Sequence, residues 1–235
     1  MGIKNHLKFI FSVRESLLSS FSISLIIAFS ACVIGFLIGV VLSMIKIAPK
    51  NNIIIKILNK IVDVYLAVIR GTPMMLQLLV MSGVILVSLK YSPTTIIVPI
   101  LAFGINSGAY MTEIIRSGIT SVDQGQMEAG RSLGMGWTRT MFSIVIPQAI
   151  KVVVPTIFNE IIILVKETSV VDCIVILVNS EQRWDLLGMA DKIGLDKPAY
   201  YMTMLFTAAA MYLAVVLLLT LIQKLLEKRF KKNER

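Results

Sequence analysis

The chain alternates long uncharged apolar runs with short polar connections. Residues 16–45 carry no charged side chain, and neither do 71–89, 91–112 and 198–223. A fifth apolar run, 140–165, is interrupted only by Lys151 and Glu160. About 18–20 apolar residues cross a hydrocarbon core as a helix, and in lipid the backbone has to satisfy its own hydrogen bonds. The pattern predicts an all-α protein, an integral membrane helical bundle of about five transmembrane helices. It reads as a single domain over residues 1–235, with an N-terminal arm at 1–16, membrane helices within 17–226 and a basic tail at 227–235. A polar block at 121–139 lies between the third and fourth spans.

Finer spacing refines these elements. In the arm, Ile3, Leu7 and Ile10 share a helical face, as an interfacial helix requires. Helix one, 17–45, is far longer than the apolar core of about 7–15 residues in a signal peptide. Ser30-Ala31-Cys32 faintly resembles a lipoprotein cleavage site, but uncharged residues continue to Ile45, so the segment reads as a retained first span. Gly35 and Gly39 have the spacing that lets membrane helices approach closely. Pro49, Asn51 and Asn52 end this helix in a lysine-rich loop. Helix two begins near Ile57 and is interrupted at Arg70-Gly71-Thr72-Pro73; helix three covers about 93–117. Helix four starts near Met141 or Pro147 and ends before Thr168. Residues 170–178 are apolar but too short to span, which suits a re-entrant or interfacial segment. A polar outer loop with Trp184 fills 179–197, and helix five covers about 199–226.

Composition agrees with a membrane protein. Only 16% of the residues are charged and 56% are hydrophobic, against about 25% charged in soluble domains. With the N-terminus outside, twelve Lys and Arg fall on the inner side and eight on the outer side, the bias expected of cytoplasmic loops. The formal charge of +9 then reads as an anchor on anionic inner-leaflet lipid. Basic and aromatic residues are not interleaved, so no nucleic-acid surface is expected. Cys32 and Cys173 sit in apolar settings without metal or redox spacing, and His6 has no ligand cluster near it. No metal site is expected.

The 121–139 block has the chemistry of a short exposed helix. Ser121-Val122-Asp123 supplies N-cap chemistry, and Gln124 to Leu133 then makes about three turns with Met127, Ala129, Gly130 and Leu133 near one face. Gly134 and Gly136 supply a turn, Trp137 suits a lipid interface, and Pro147 is tolerated where a helix restarts. On spacing alone the better reading is an ordinary amphipathic connector.

Motifs separate the two readings. Glu128-Ala129-Gly130, then Gly134, then Ile144, then Ile146-Pro147 resembles the EAA loop of binding-protein-dependent ABC importer permeases, with Gly130 standing for an alanine and Ile146 for a leucine. Arg70-Gly71-Thr72-Pro73 is similar to a signature of the polar amino-acid branch of that family. So are Ala109-Tyr110 with Glu113, Arg116 and Gly118; Gly125-Gln126 before Glu128; and Asn159-Glu160 followed by Lys166, Thr168 and Ser169. These matches run in order over residues 65–172. The resemblance implies a permease subunit of the bacterial plasma membrane that pairs with a second permease subunit, and the Lys and Arg bias puts its N-terminus outside and its C-terminus in the cytoplasm. It implies docking on two P-loop ATPase subunits, which bind the ATP and Mg, and delivery of an amino-acid substrate by an extracytoplasmic binding protein. The 121–139 block becomes a cytoplasmic coupling helix, with Gln126, Glu128, Ala129, Gly130, Leu133 and Gly134 as the ATPase-coupling residues.

This chain contains no G-x-x-x-x-G-K-[S/T] sequence, so it does not cradle nucleotide phosphates in that way. No cofactor and no catalytic residue is expected in it. The spans lack the Ser/His and His/Glu constellations of an intramembrane enzyme. A channel or membrane scaffold leaves the 121–139 block without a role, and a permease for another small solute stays open. Intramembrane charges are costly and face cavities or partners. Glu113 and Arg116 suit a local pair, and Lys151 suits snorkelling to the interface. Arg70 suits a carboxylate and Glu160 an ammonium, so either they contact substrate or they pair with each other. Thr72 at the helix break and Asn159, Thr168 and Ser169 are further candidate substrate contacts.

Overall fold

The structure is a computed structural model that describes residues 2–89, 96–172 and 185–232, with side chains described outside 85–89 and 231–232. Its helices are α1 (Ile3–Ile47), α2 (Ile53–Gly71), α3 (Met74–Leu89), α4 (Ile97–Thr120), α5 (Gln124–Ser132), α6 (Trp137–Thr140), α7 (Ile146–Glu167), α8 (Leu186–Asp196) and α9 (Tyr201–Lys232). Among the described residues, four helical runs are long and apolar enough to cross a membrane: Ile3–Ile47, Ile97–Thr120, Trp137–Val170 and Pro198–Phe230. The remaining expected span is divided into α2 and the shorter apolar α3. Cys173, Trp184 and most of the expected re-entrant segment lie outside the described residues.

The glycine spacing in α1 meets a matching one in α4. A Cβ on Gly35 would stand 2.7 Å from Ser107 Cβ, and one on Gly39 would stand 2.5 Å from Met111 Cβ. In return Gly104 lies against Ile34 and Gly108 against Ile38. The pairs advance together along both helices, so α1 and α4 run parallel. In lipid such contact is held by van der Waals packing, and glycines permit the approach. Helix α7 returns antiparallel to α4: Gly118 faces Val153, and Ser107 bonds Glu160. The core between α1, α4, α7 and α9 is filled by Ile27, Phe103, Met111, Leu164 and Val165.

The arm is not a separate interfacial helix, because α1 is continuous from Ile3 through 45 residues. Its own contacts explain this. His6 Nδ1 lies 2.7 Å from Thr203 Oγ1, Phe9 stacks on Tyr200 at 4.1 Å, and Leu17 is buried with Leu186, Ala190 and Met204. The expected common face splits: Ile3 and Leu7 are exposed, while Ile10 packs against α8 and α9.

Helix α2 climbs beside α1 and α4. Asn59 Nδ2 donates to Ile45 O at 2.9 Å, Lys46 pairs with Asp63, and Tyr65 Oη donates to Ile105 O. After the break α3 continues in the same sense, with Leu78 buried against Val98 and Ala102 near the start of α4. Further along, Pro147 sits in the first turn of α7, inside one continuous helical run. A π-helical segment, Met141–Val145, precedes it, and Ile146 N–H bonds Met141 O. Proline clashes with the carbonyl four residues back; widening the preceding turn accommodates it without breaking the helix.

Candidate functional site: an exposed short helix and a polar helix break

Asp123 caps α5 by accepting Gly125 N–H at 2.6 Å. At the other end Gly134 is left-handed, with φ +79°. Met135 N–H bonds Gly130 O at 3.1 Å and Gly134 N–H bonds Arg131 O at 3.0 Å, the paired bonds of a Schellman cap. The turn therefore belongs to Gly134; Gly136 has an ordinary extended backbone.

The expected single face of α5 divides in two. Met127 turns inward, and it and Trp137, both half-buried, pack against the cluster around Met141 and Val145. Gly130 is buried, and a Cβ there would stand 2.5 Å from Thr140 Cγ2 and 3.2 Å from Ile144 Cδ1. Glycine replaces the alanine of the resembled pattern because α5 lies hard against α6. Glu128 and Ala129 point outward with Leu133, which is 82% exposed. Exposed Gln126 accepts from Gln148 Nε2 at 3.3 Å, tying α5 to α7.

The candidate substrate residues fall in two places. Arg70 and Glu160 do not pair. The Arg70 guanidinium stands 5.8 Å over the Tyr110 ring, and Glu160, 5% exposed, accepts from Ser107 Oγ at 3.0 Å. Arg70 opens onto a pocket of about 370 Å³ lined also by Tyr110, Glu113, Arg116, Val152 and Thr156. Glu113 and Arg116 form the expected local pair at 2.7 Å. Asn159 continues the face of Val152 and Thr156 at helical spacing and is exposed. Thr168 is fully buried and its hydroxyl donates to Val165 O; Ser169 Oγ donates to Lys166 O. Those two hydroxyls finish the end of α7.

Thr72 ends α2, with Oγ1 donating to Val68 O at 2.8 Å. The side chain that closes the break is Gln77, which sequence reasoning missed along with its partner Asn106. Ser107 and the pairing of Tyr110 with Arg70 were missed as well. A signal was present: Asn106, Tyr110, Glu113 and Ser117 form a polar stripe at helical spacing, and Gln77 is the one glutamine in the run 74–89.

Residues 39–232 match the family of binding-protein-dependent transport system inner membrane components. The chain belongs to this family. It is 34% identical over 218 residues to the arginine transport system permease protein ArtQ of Bacillus subtilis, covering 93% of this chain and 94% of that one. It is 32% identical over 200 residues to the L-cystine transport system permease protein TcyB of the same organism, covering 84% and 80%. Among solved structures, an amino acid ABC transporter with histidines superposes with a TM-score of 0.80 at 33% identity, over 94% of this chain and 98% of that chain. The inward-facing MetNI methionine ABC transporter superposes at 0.68 over 98% and 99%, and at 15% identity it speaks for the fold. As a member of this family the chain is a membrane-embedded helical permease component.

Proposed function

We propose that this chain is the permease subunit of an ATP-driven amino-acid importer, forming half of the translocation pathway. The observation that carries the reading is the outward face of α5. A nine-residue helix, fixed at both ends and braced on α6 and α7, presents an apolar Leu133 to solvent beside Glu128 and Ala129. A lone membrane protein gains nothing from that exposure; a groove on a P-loop ATPase subunit gains an anchor. ATP and Mg belong to that partner. Closure of two ATPases displaces two such helices, and α4 and α7, which flank α5, reorient with them.

The family and the relatives named for arginine and cystine support amino acids as the substrate class. A binding protein outside and a second permease subunit complete the assembly. The basic tail and the lysine-rich loop support a cytoplasmic C-terminus and an outer N-terminus. For substrate, Arg70 on the open pocket offers a carboxylate fork, Asn159 offers an amide one turn beyond Thr156, and Glu160 offers an ammonium partner once α7 shifts against α4. Thr72, Thr168 and Ser169 shape the helix ends beside the path.

The test is reconstitution. The chain is co-purified with its P-loop ATPase, placed in liposomes and supplied with the binding protein and labelled amino acids. The reading expects uptake that requires ATP and all three components. Uptake without ATP, or a chain that does not retain the ATPase, contradicts it.

A further inference from the structure

The break between α2 and α3 is tied to α4 on both of its sides. Before the break, Arg70 stands over Tyr110. After it, Gln77 in the first turn of α3 accepts through Oε1 from Asn106 Nδ2 at 2.8 Å. Asn106 and Tyr110 are one helical turn apart and face the same way. The other end of the Gln77 amide is spent on the break itself. Its Nε2 donates to Ile69 O at 2.7 Å, and to Thr72 Oγ1 at 2.7 Å with Thr72 O at 3.1 Å.

The end of a helix leaves its last carbonyls without intrahelical donors. One side chain supplies those donors and holds α4 with its remaining oxygen. Asn106 is 4% exposed, so water does not stand in for it. Helix α4 ends at Thr120, and α5 begins at Gln124.

We propose that Gln77 and Asn106 are positioning residues of the transport cycle: through their bond, α4 carries the displacement of α5 to the α2–α3 break and so sets where Arg70 stands. This rests on the transport reading above. The same α4 stripe supplies Tyr110 and Glu113 to the Arg70 pocket, so break and pocket wall move as one piece. Without the clasp, only the Tyr65–Ile105 bond, the packing of Leu78 and the Arg70–Tyr110 contact still tie the break to α4.

The experiment uses the assembled complex of full-length chain, its ATPase and its binding protein in lipid nanodiscs. Asn106→Leu, Gln77→Leu and the double variant are compared for basal ATP hydrolysis and for stimulation by substrate-loaded binding protein. The expectation is a basal rate within about twofold of wild type and stimulation down about tenfold in each single variant, with no further loss in the double variant. Gln77→Glu keeps an oxygen for Asn106 and retains more stimulation than Gln77→Leu. If Gln77→Leu fails to assemble, Asn106→Leu and Gln77→Glu carry the comparison. Wild-type stimulation in Asn106→Leu, or single losses that multiply in the double variant, overturns the proposal alone. A wild-type complex that is never stimulated overturns the transport reading and this one with it.

Discussion

Gly130→Ala isolates what the inward face of α5 does. The added Cβ would lie 2.5 Å from Thr140 Cγ2 and 3.0 Å from Thr140 Oγ1, where carbon pairs prefer about 3.5–4.0 Å. Thr140 is fully buried and its hydroxyl donates to Gly136 O at 3.1 Å, so it does not rotate away freely. Overpacking of this kind costs about 1–3 kcal/mol. Alanine recovers about 0.8–1.0 kcal/mol of helix propensity. The net is a loss of roughly 0–2 kcal/mol in the docking of α5; at its midpoint of about 1 kcal/mol the open population rises about fivefold. Trypsin cleavage at exposed Arg131 reads that population when reclosing is fast. Thr140→Ser removes the methyl at the closest contact, so Gly130→Ala in that background should be close to neutral. Equal sensitivity of Gly130→Ala in both backgrounds would show that the Thr140 contact is not what limits the position. The effect belongs to the isolated permease, since Gly130 faces its own chain.

Other expectations follow from single positions. Gly134→Ala places a side chain at φ +79°, at a cost of about 1–2 kcal/mol. It should lower ATPase co-purification while leaving the membrane helices folded by circular dichroism; a full-strength complex would speak against the cap. Glu160→Gln keeps an acceptor for Ser107 Oγ and should preserve assembly while abolishing substrate-stimulated ATP hydrolysis; unchanged substrate affinity would deny Glu160 a substrate role. Burial pushes the Asp185 carboxyl up to about 7, against the Gly188 N–H and with help from Asp172. A folded pKa above the ordinary 3.8 means that the folded state holds the proton more tightly. The contribution of this group to stability is greatest at low pH and falls as pH rises from about 4 to about 7, levelling off above. Asp185→Asn, which retains a capping oxygen, should flatten that profile in thermal melts taken from pH 5 to pH 8; an unchanged slope would mean that another group titrates.

The sequence made the large features readable for physical reasons. Uncharged runs announce spans because lipid tolerates little else, and a polar block between two of them has to leave the membrane. Gly35 and Gly39 were legible as a packing stripe, although their partners Ser107 and Met111 were not. What escaped depended on a neighbour distant in sequence. Gly130 and Ala129 look alike as small residues, and only the position of Thr140 decides that one faces in and the other out. Arg70 and Glu160 invite pairing by charge, yet Tyr110 and Ser107 take them separately. The arm looked interfacial by composition, but Tyr200 and Thr203 draw it into a continuous helix. Pro147 looked like a helix start, and the π turn before it lets the helix run through.

Leu133→Cys, in a chain with Cys32 and Cys173 replaced by alanine, puts the central claim to one measurement. A membrane-impermeant maleimide should label it in inside-out vesicles stripped of the ATPase and not in right-side-out vesicles, and readdition of the ATPase should block the reaction. Labelling from the outer side, or labelling that the ATPase leaves unchanged, would contradict a cytoplasmic docking role for α5.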